Sequence, residues 1–149
     1  MRITEIARLQ VNDVLMPSGE LRREISLRAA ITKGSRQRCV FLTNTATIEA
    51  VERYSEHRWT KNWGTELDRR MFRGLSLATA LILSHKGAAF ELTRKSKRLA
   101  GGDVEDYWAC DSLQARTSQL YRAAGLHECS SHTGRRTFAT RLLQQGHDI

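Results

Sequence analysis

The sequence predicts an α+β fold, mainly helical, with a small antiparallel β-sheet in its N-terminal third. Three observations carry this expectation. Residues 131–143 place Phe138, Ala139 and Leu142 on one side at about 100° per residue, the period of a helix. A second helical period follows Asp111 or Ser112 as cap, with Leu113, Leu120, Tyr121 and Ala124 inward and Gly125 as its stop. Between Glu24 and Thr32 the pattern changes to alternation, with Ile25, Leu27, Ala29 and Ile31 on one face. After the turn Lys33-Gly34-Ser35 a return strand runs from Arg38 to Leu42.

Taken in order, Arg2 to Gln10 is helical in period. Ile6 and Leu9 lie on the side of Arg2, Arg8 faces away, and Glu5 is placed one turn on to brace Arg2. Val11 to Leu15 reads as a short strand and Pro17-Ser18-Gly19 as a turn. Thr47 to Glu56 is a short helix opened by Thr45 or Thr47. His57 to Gly64, with Trp59 and Trp63, is an irregular connection with no assigned role, and Glu66 to Gly74 is mixed and basic. Leu81-Ile82-Leu83 is a brief apolar run ending at Ser84-His85-Lys86-Gly87. The charge run Arg94-Lys95-Ser96-Lys97-Arg98 before Gly101-Gly102 reads as a mobile, solvated loop able to touch phosphate. The last helix is entered through Ser130 or Ser131 as capping hydroxyls and closed by Gly146. No internal repeat and no domain boundary is visible.

The chain has 149 residues, of which 40% are apolar, enough for one domain with a core. Its 24 Lys and Arg against 16 Asp and Glu give a net charge of +8, so the natural partner is a polyanion, most commonly nucleic acid. The longest apolar stretch, Leu75 to Leu83, is interrupted by Ser76 and Thr79, and no charged-then-apolar leader follows Met1. Neither a membrane span nor a secretion signal is expected. Three widely spaced cysteines, Cys39, Cys110 and Cys129, read as reduced thiols of a cytoplasmic protein. His127, Cys129 and His132 offer only three ligands without the spacing of a zinc module, so no metal and no other cofactor is expected.

Two helices each aim an arginine toward their apolar side. In the last helix Arg135 falls within the stripe, with His132 three residues earlier on the same side, while Arg136 and Arg141 point elsewhere. Arg2 does the same in the first helix. A guanidinium aimed inward is costly unless an anion meets it. As structural pairs, Arg2 and Arg135 would each need a buried acid of their own. Convergence on one phosphate satisfies both, because planar guanidinium forks bind phosphate oxygens two at a time.

The pattern His132-x-x-Arg135 followed by Arg136-Thr137-Phe138-Ala139-Thr140 resembles the second conserved box of the tyrosine recombinase (phage integrase) family. Arg2-x-x-Glu5, continued by Leu9, Asp13 and Val14, resembles the first box. Thr32-Lys33-Gly34 resembles the hairpin turn that carries an active-site lysine, and Leu81 to Gly87 resembles a strand-turn of the same family. The resemblance covers nearly the whole chain but only the middle of the family's catalytic domain, so residues 1–149 are expected to be a partial domain. Relatives have further helices before the first box. They also carry a His or Trp box and then a tyrosine downstream of His-x-x-Arg, whereas Ile149 lies only fourteen residues beyond Arg135. His147 falls too early to be the missing box histidine, and Tyr54, Tyr107 and Tyr121 all precede His132. Apolar surface left bare by missing helices would favour self-association or marginal stability.

The implied activity is site-specific recombination or integration of DNA for a mobile element, by cleavage and rejoining through a 3′-phosphotyrosine. Breaking a phosphodiester without metal needs fixed cations on the non-bridging oxygens, a base for the nucleophile and an acid for the 5′-oxygen. Arg2 and Arg135 would supply the cations, and His132 would move the proton at the nucleophile side. Lys33, helped by neighbouring guanidiniums, would be the acid. Arg36, Arg38, Arg94, Lys95, Lys97, Arg98 and Arg136 are the expected contacts to double-stranded DNA, on which the protein could form a homo-oligomer. The alternative is a non-catalytic DNA-binding remnant or regulator derived from a recombinase. A third, unrelated helix-turn-helix regulator would need exposed polar base-readers on its recognition helix.

Overall fold

A computed structural model of the chain describes residues 1–32, 34–66 and 68–146. Among them are five α-helices and two antiparallel two-stranded sheets, an α+β fold in which the second sheet was not foreseen. Lys33 and His147 lie outside the described residues. The chain forms two compact units, residues 5–90 and residues 1–4 together with 91–149.

In the 5–90 unit, helix α1 (Ile3–Arg8) buries Ala7 and, just beyond its end, Leu9. It also buries Glu5, whose carboxylate accepts a 2.6 Å charge-assisted hydrogen bond from Arg38 Nη2. A buried carboxylate needs such a partner. The stretch read as a strand from Val11 is instead a single helical turn, α2 (Val11–Val14). Val11, Val14 and Leu15 are all buried, a spacing that fits a helix and not a strand, and Asp13 fixes the turn by accepting from the Gln10 N–H at 2.9 Å. Arg28 grips the same carboxylate with two nitrogens, each 3.0 Å away. Val11 and Leu15 pack with Leu75 as a core cluster, against which Leu21 and Phe72 lean.

The expected hairpin is present as β1 (Glu24–Leu27) and β2 (Arg38–Phe41), with Ile25 opposite Val40 and Leu27 opposite Arg38. Ile25 and Leu27 are buried, so the alternation holds; the strand stops earlier than Thr32 because Ala29–Ile31 winds into a 3-10 turn. Thr32 Oγ1 donates to the Arg36 carbonyl at 2.7 Å and closes the loop between the strands.

Helix α3 (Thr45–Thr60) is longer than its sequence period suggests, and it absorbs much of the supposed irregular connection. Asn44 is its cap, accepting from the Thr47 N–H at 2.9 Å. Its last turn projects Arg58, which is 0% exposed. The guanidinium donates to the carbonyls of Trp63 (3.2 Å), Ala80 (2.8 Å), Leu81 (3.0 Å) and Gly64 (3.4 Å), and to Thr79 Oγ1 (3.1 Å). One side chain thus ties two loop segments to the helix. Burial lowers the tendency of Arg58 to hold its proton. The same loops are pressed against aromatic rings: a Cβ at Gly74, where φ is +76°, would sit 2.1 Å from Trp59 Cζ3. The expected strand at Leu81–Leu83 is only an isolated bridge, Leu83 to Ala89, although the turn at 84–87 forms as read.

In the other unit, the charge run is ordered. Strand β3 (Thr93–Arg98) pairs in continuous register with β4 (Val104–Ala109), from Thr93 opposite Ala109 to Arg98 opposite Val104. Helix α4 (Asp111–Ala123) follows, with Leu113 its one buried residue; Leu120 is exposed where the sequence placed it inward. Helix α5 (Thr133–Gln144) closes near Gly146, whose φ of +80° favours glycine. No helix is long and apolar enough to cross a membrane among the described residues.

Candidate functional site

The second-box residues sit at the opening of α5. His132 is the N-cap residue and Arg135 follows one turn later, with the Arg136 N–H donating to the His132 carbonyl at 3.1 Å. Entry is not by the seryl caps foreseen; the Ser130 N–H instead donates to Thr133 Oγ1 at 2.8 Å. Both His132 and Arg135 are exposed. The inward placement of Arg135 is therefore corrected. α5 has no buried residue; Ala139 and Leu142 are half-buried but Phe138 is 65% exposed, so the stripe is covered only in part and Arg135 stays open to solvent.

Gly134 leaves room for a neighbour: a Cβ there would lie 3.6 Å from Tyr121 Oη, so this phenol stands beside the first turn of α5. Tyr54 is engaged elsewhere, its Oη accepting from the Leu83 N–H at 2.8 Å. Residues 1–4 group with 91–149, so half-buried Arg2 belongs to the same compact unit as His132 and Arg135.

The remaining cations divide into braced and unbraced. Arg38 is held by Glu5, Arg94 by Asp106 at 2.6 Å, and Lys95 by Asp111 at 2.7 Å. Arg36, Lys97, Arg98 and Arg136 are exposed and have no ion pair among the described residues. α5 itself carries three arginines and no acid. Thr133, Arg136, Thr137, Thr140, Arg141 and Gln144 form one open, polar face of α5. At about 100° per residue, this polar face lies opposite the one that bears Arg135 and Leu142.

One residue, Arg58, carries a role that sequence reasoning missed. Arg58 has no carboxylate partner at helical spacing, and backbone carbonyls leave no mark in a sequence.

The pairs on the β3–β4 ribbon make its stability pH-dependent. The Asp106 carboxyl is held below its usual range, first by the Ser96 hydroxyl and then by Arg94. Asp111 raises Lys95 above the ordinary lysine range. The Asp106 contribution is present above the unfolded carboxyl value, about 3.9, and is lost as pH falls through the lower folded value. The Lys95 contribution is present below about 10.4 and disappears as pH rises through the raised folded value. Amide exchange across Thr93–Ala109 should therefore be slowest relative to its intrinsic rate at neutral pH and lose protection below about pH 4. Unchanged protection down to pH 2 would show that Asp106 does not brace the ribbon.

Comparison with curated proteins and with solved structures gives no match. The profile of the phage integrase family matches residues 1–149, and the chain belongs to that family of DNA-acting, tyrosine-type site-specific recombinases.

Proposed function

We propose that residues 1–149 form the phosphate-binding part of a recombinase catalytic domain, with Arg2, Lys33, His132 and Arg135 around the scissile phosphate and no nucleophile among Tyr54, Tyr107 and Tyr121. Arg2 and Arg135 meet the charge that grows on the non-bridging oxygens as the phosphorus becomes five-coordinate. His132 takes part in removing the proton from the attacking tyrosine hydroxyl. Lys33 returns a proton to the departing 5′-oxygen. The phosphotyrosine formed keeps the energy of the broken bond for rejoining. Arg36, Lys97, Arg98 and Arg136 add contacts to neighbouring phosphates, and the protein works on double-stranded DNA in the cytoplasm, as an oligomer assembled on its site.

The observation that carries this reading is the family pattern itself, with His132 and Arg135 one helical turn apart and open to solvent at the start of α5. Solvent exposure suits groups that must reach a DNA phosphate. The test is incubation of the purified 149-residue chain with a nicked suicide duplex. The expected result is duplex binding that weakens steeply with salt and no covalent adduct on a denaturing gel. A covalent adduct would place a nucleophile within these residues and contradict the assignment.

A further inference from the structure

We propose that the β3–β4 ribbon is a separate DNA-docking element, which enters a groove of the duplex with its Arg98–Val104–Trp108 face and sets phosphates against Lys97 and Arg98. This rests on the reading of the chain as a duplex-DNA binder.

Directly opposed residues share a face of an antiparallel ladder. The register therefore places Arg94, Ser96 and Arg98 with Trp108, Asp106 and Val104 on one side, and Thr93, Lys95 and Lys97 with Ala109, Tyr107 and Glu105 on the other. Nearly every residue of both strands is exposed; Val104 is 62% exposed and Trp108 49%. A two-stranded ribbon with two wet faces gains little from burial and is marginal alone. What holds it is its polar bracing: Arg94 and Ser96 on Asp106, and Lys95 on Asp111. That bracing uses the cations near the ribbon's base and leaves Lys97 and Arg98, next to the turn at Gly101-Gly102, without an acid partner among the described residues.

A solvated ribbon with unpaired Lys97 and Arg98 near its tip, an isopropyl group bare opposite Arg98 and the indole of Trp108 on the same face toward the base, has the shape and chemistry of a groove reader. A two-stranded ribbon fits the major groove of B-DNA. Pairing with the β3 edge of a second copy is the poorer arrangement, because β3 carries four cations and no acid, and like charges along an edge strand repel a matching edge. A polyanion is drawn to that same edge.

The test uses the 149-residue chain and a mixed-sequence duplex, with affinity followed by fluorescence anisotropy from 50 to 200 mM salt. Lys97→Ala/Arg98→Ala should reduce the slope of log affinity against log salt by about 1.8, two phosphates' worth, so that its deficit shrinks roughly tenfold across that range. Trp108→Ala should weaken binding about five- to tenfold with the slope intact, since an apolar contact releases no counterions. Arg53→Ala/Lys61→Ala removes the same charge from the surface of the α3 region and should leave the slope unchanged. Circular dichroism of each variant must match the parent. An equal slope loss in the Arg53/Lys61 control, or parental behaviour of the Lys97/Arg98 variant, overturns the ribbon proposal while the DNA reading stands. Parental affinity of Trp108→Ala overturns groove entry. No duplex binding by the parent chain overturns the DNA reading and the ribbon with it.

Discussion

Arg58→Ala should unfold the 5–90 unit. The substitution strips hydrogen bonds from four carbonyls and the Thr79 hydroxyl at a point where the parent side chain is wholly buried. Each acceptor left unpaired away from water costs about 1–3 kcal/mol, and removing one partner from a buried charged network typically costs about 3–5 kcal/mol. A small domain has only about 5–15 kcal/mol of stability in total. Arg58→Lys should fail almost as badly, because an ammonium offers three donors from one point and cannot span carbonyls on two loops. Arg53→Ala, which loses only an exposed pair with Glu49 at 3.7 Å, should stay within about 0.5 kcal/mol of the parent. Urea titration followed by circular dichroism checks all three; a parental midpoint for Arg58→Ala would show that the loops are held some other way.

Arg58 also marks where reading the sequence succeeds and where it stops. The principle that an inward arginine must be met by acceptors holds, but it was applied to the wrong residue. Arg135 sits in an apolar stripe on paper, but in the folded chain that stripe is only partly covered, and Arg135 and Phe138 are exposed. The arginine that is truly inward lies between His57 and Trp59, where side-chain period gives no warning and the partners are carbonyls set by loop geometry. Patterns of period and turn chemistry were legible: the β1–β2 alternation, the glycine that closes α5 and the α+β class. Val11–Val14 misled because β-branched residues favour strands while the spacing of Val11, Val14 and Leu15 favours a helix, and packing on Leu75 decided between them. The β3–β4 ribbon was hidden because Thr93–Arg98 has the composition of a solvated loop. Its order comes from cross-strand partners such as Asp106, more than seven residues away. For the site, His132 and Arg135 were legible as a word, since spacing of one turn is a local property. The proposed convergence of Arg2 with them depends on long-range packing, which no local pattern encodes.

The second large effect tests the proposal that Arg2 and Arg135 share one phosphate. Arg2→Ala/Arg135→Ala should weaken duplex binding by roughly 10- to 100-fold at low salt, the worth of charge-assisted bonds to one phosphate. The deciding quantity is the salt slope. Each phosphate neutralised contributes about 0.9 to the slope, whatever the number of side chains that share it. With both guanidiniums on a single phosphate, either single variant leaves that phosphate still contacted and changes the slope little, and the double variant lowers it by about 0.9. Two arginines on separate phosphates give about 0.9 for each single variant and about 1.8 for the double, with no coupling between them. The double-variant slope is therefore the most direct measurement of a shared phosphate pocket: a loss near 0.9 with silent single variants is predicted, and additive losses reaching 1.8 would contradict it.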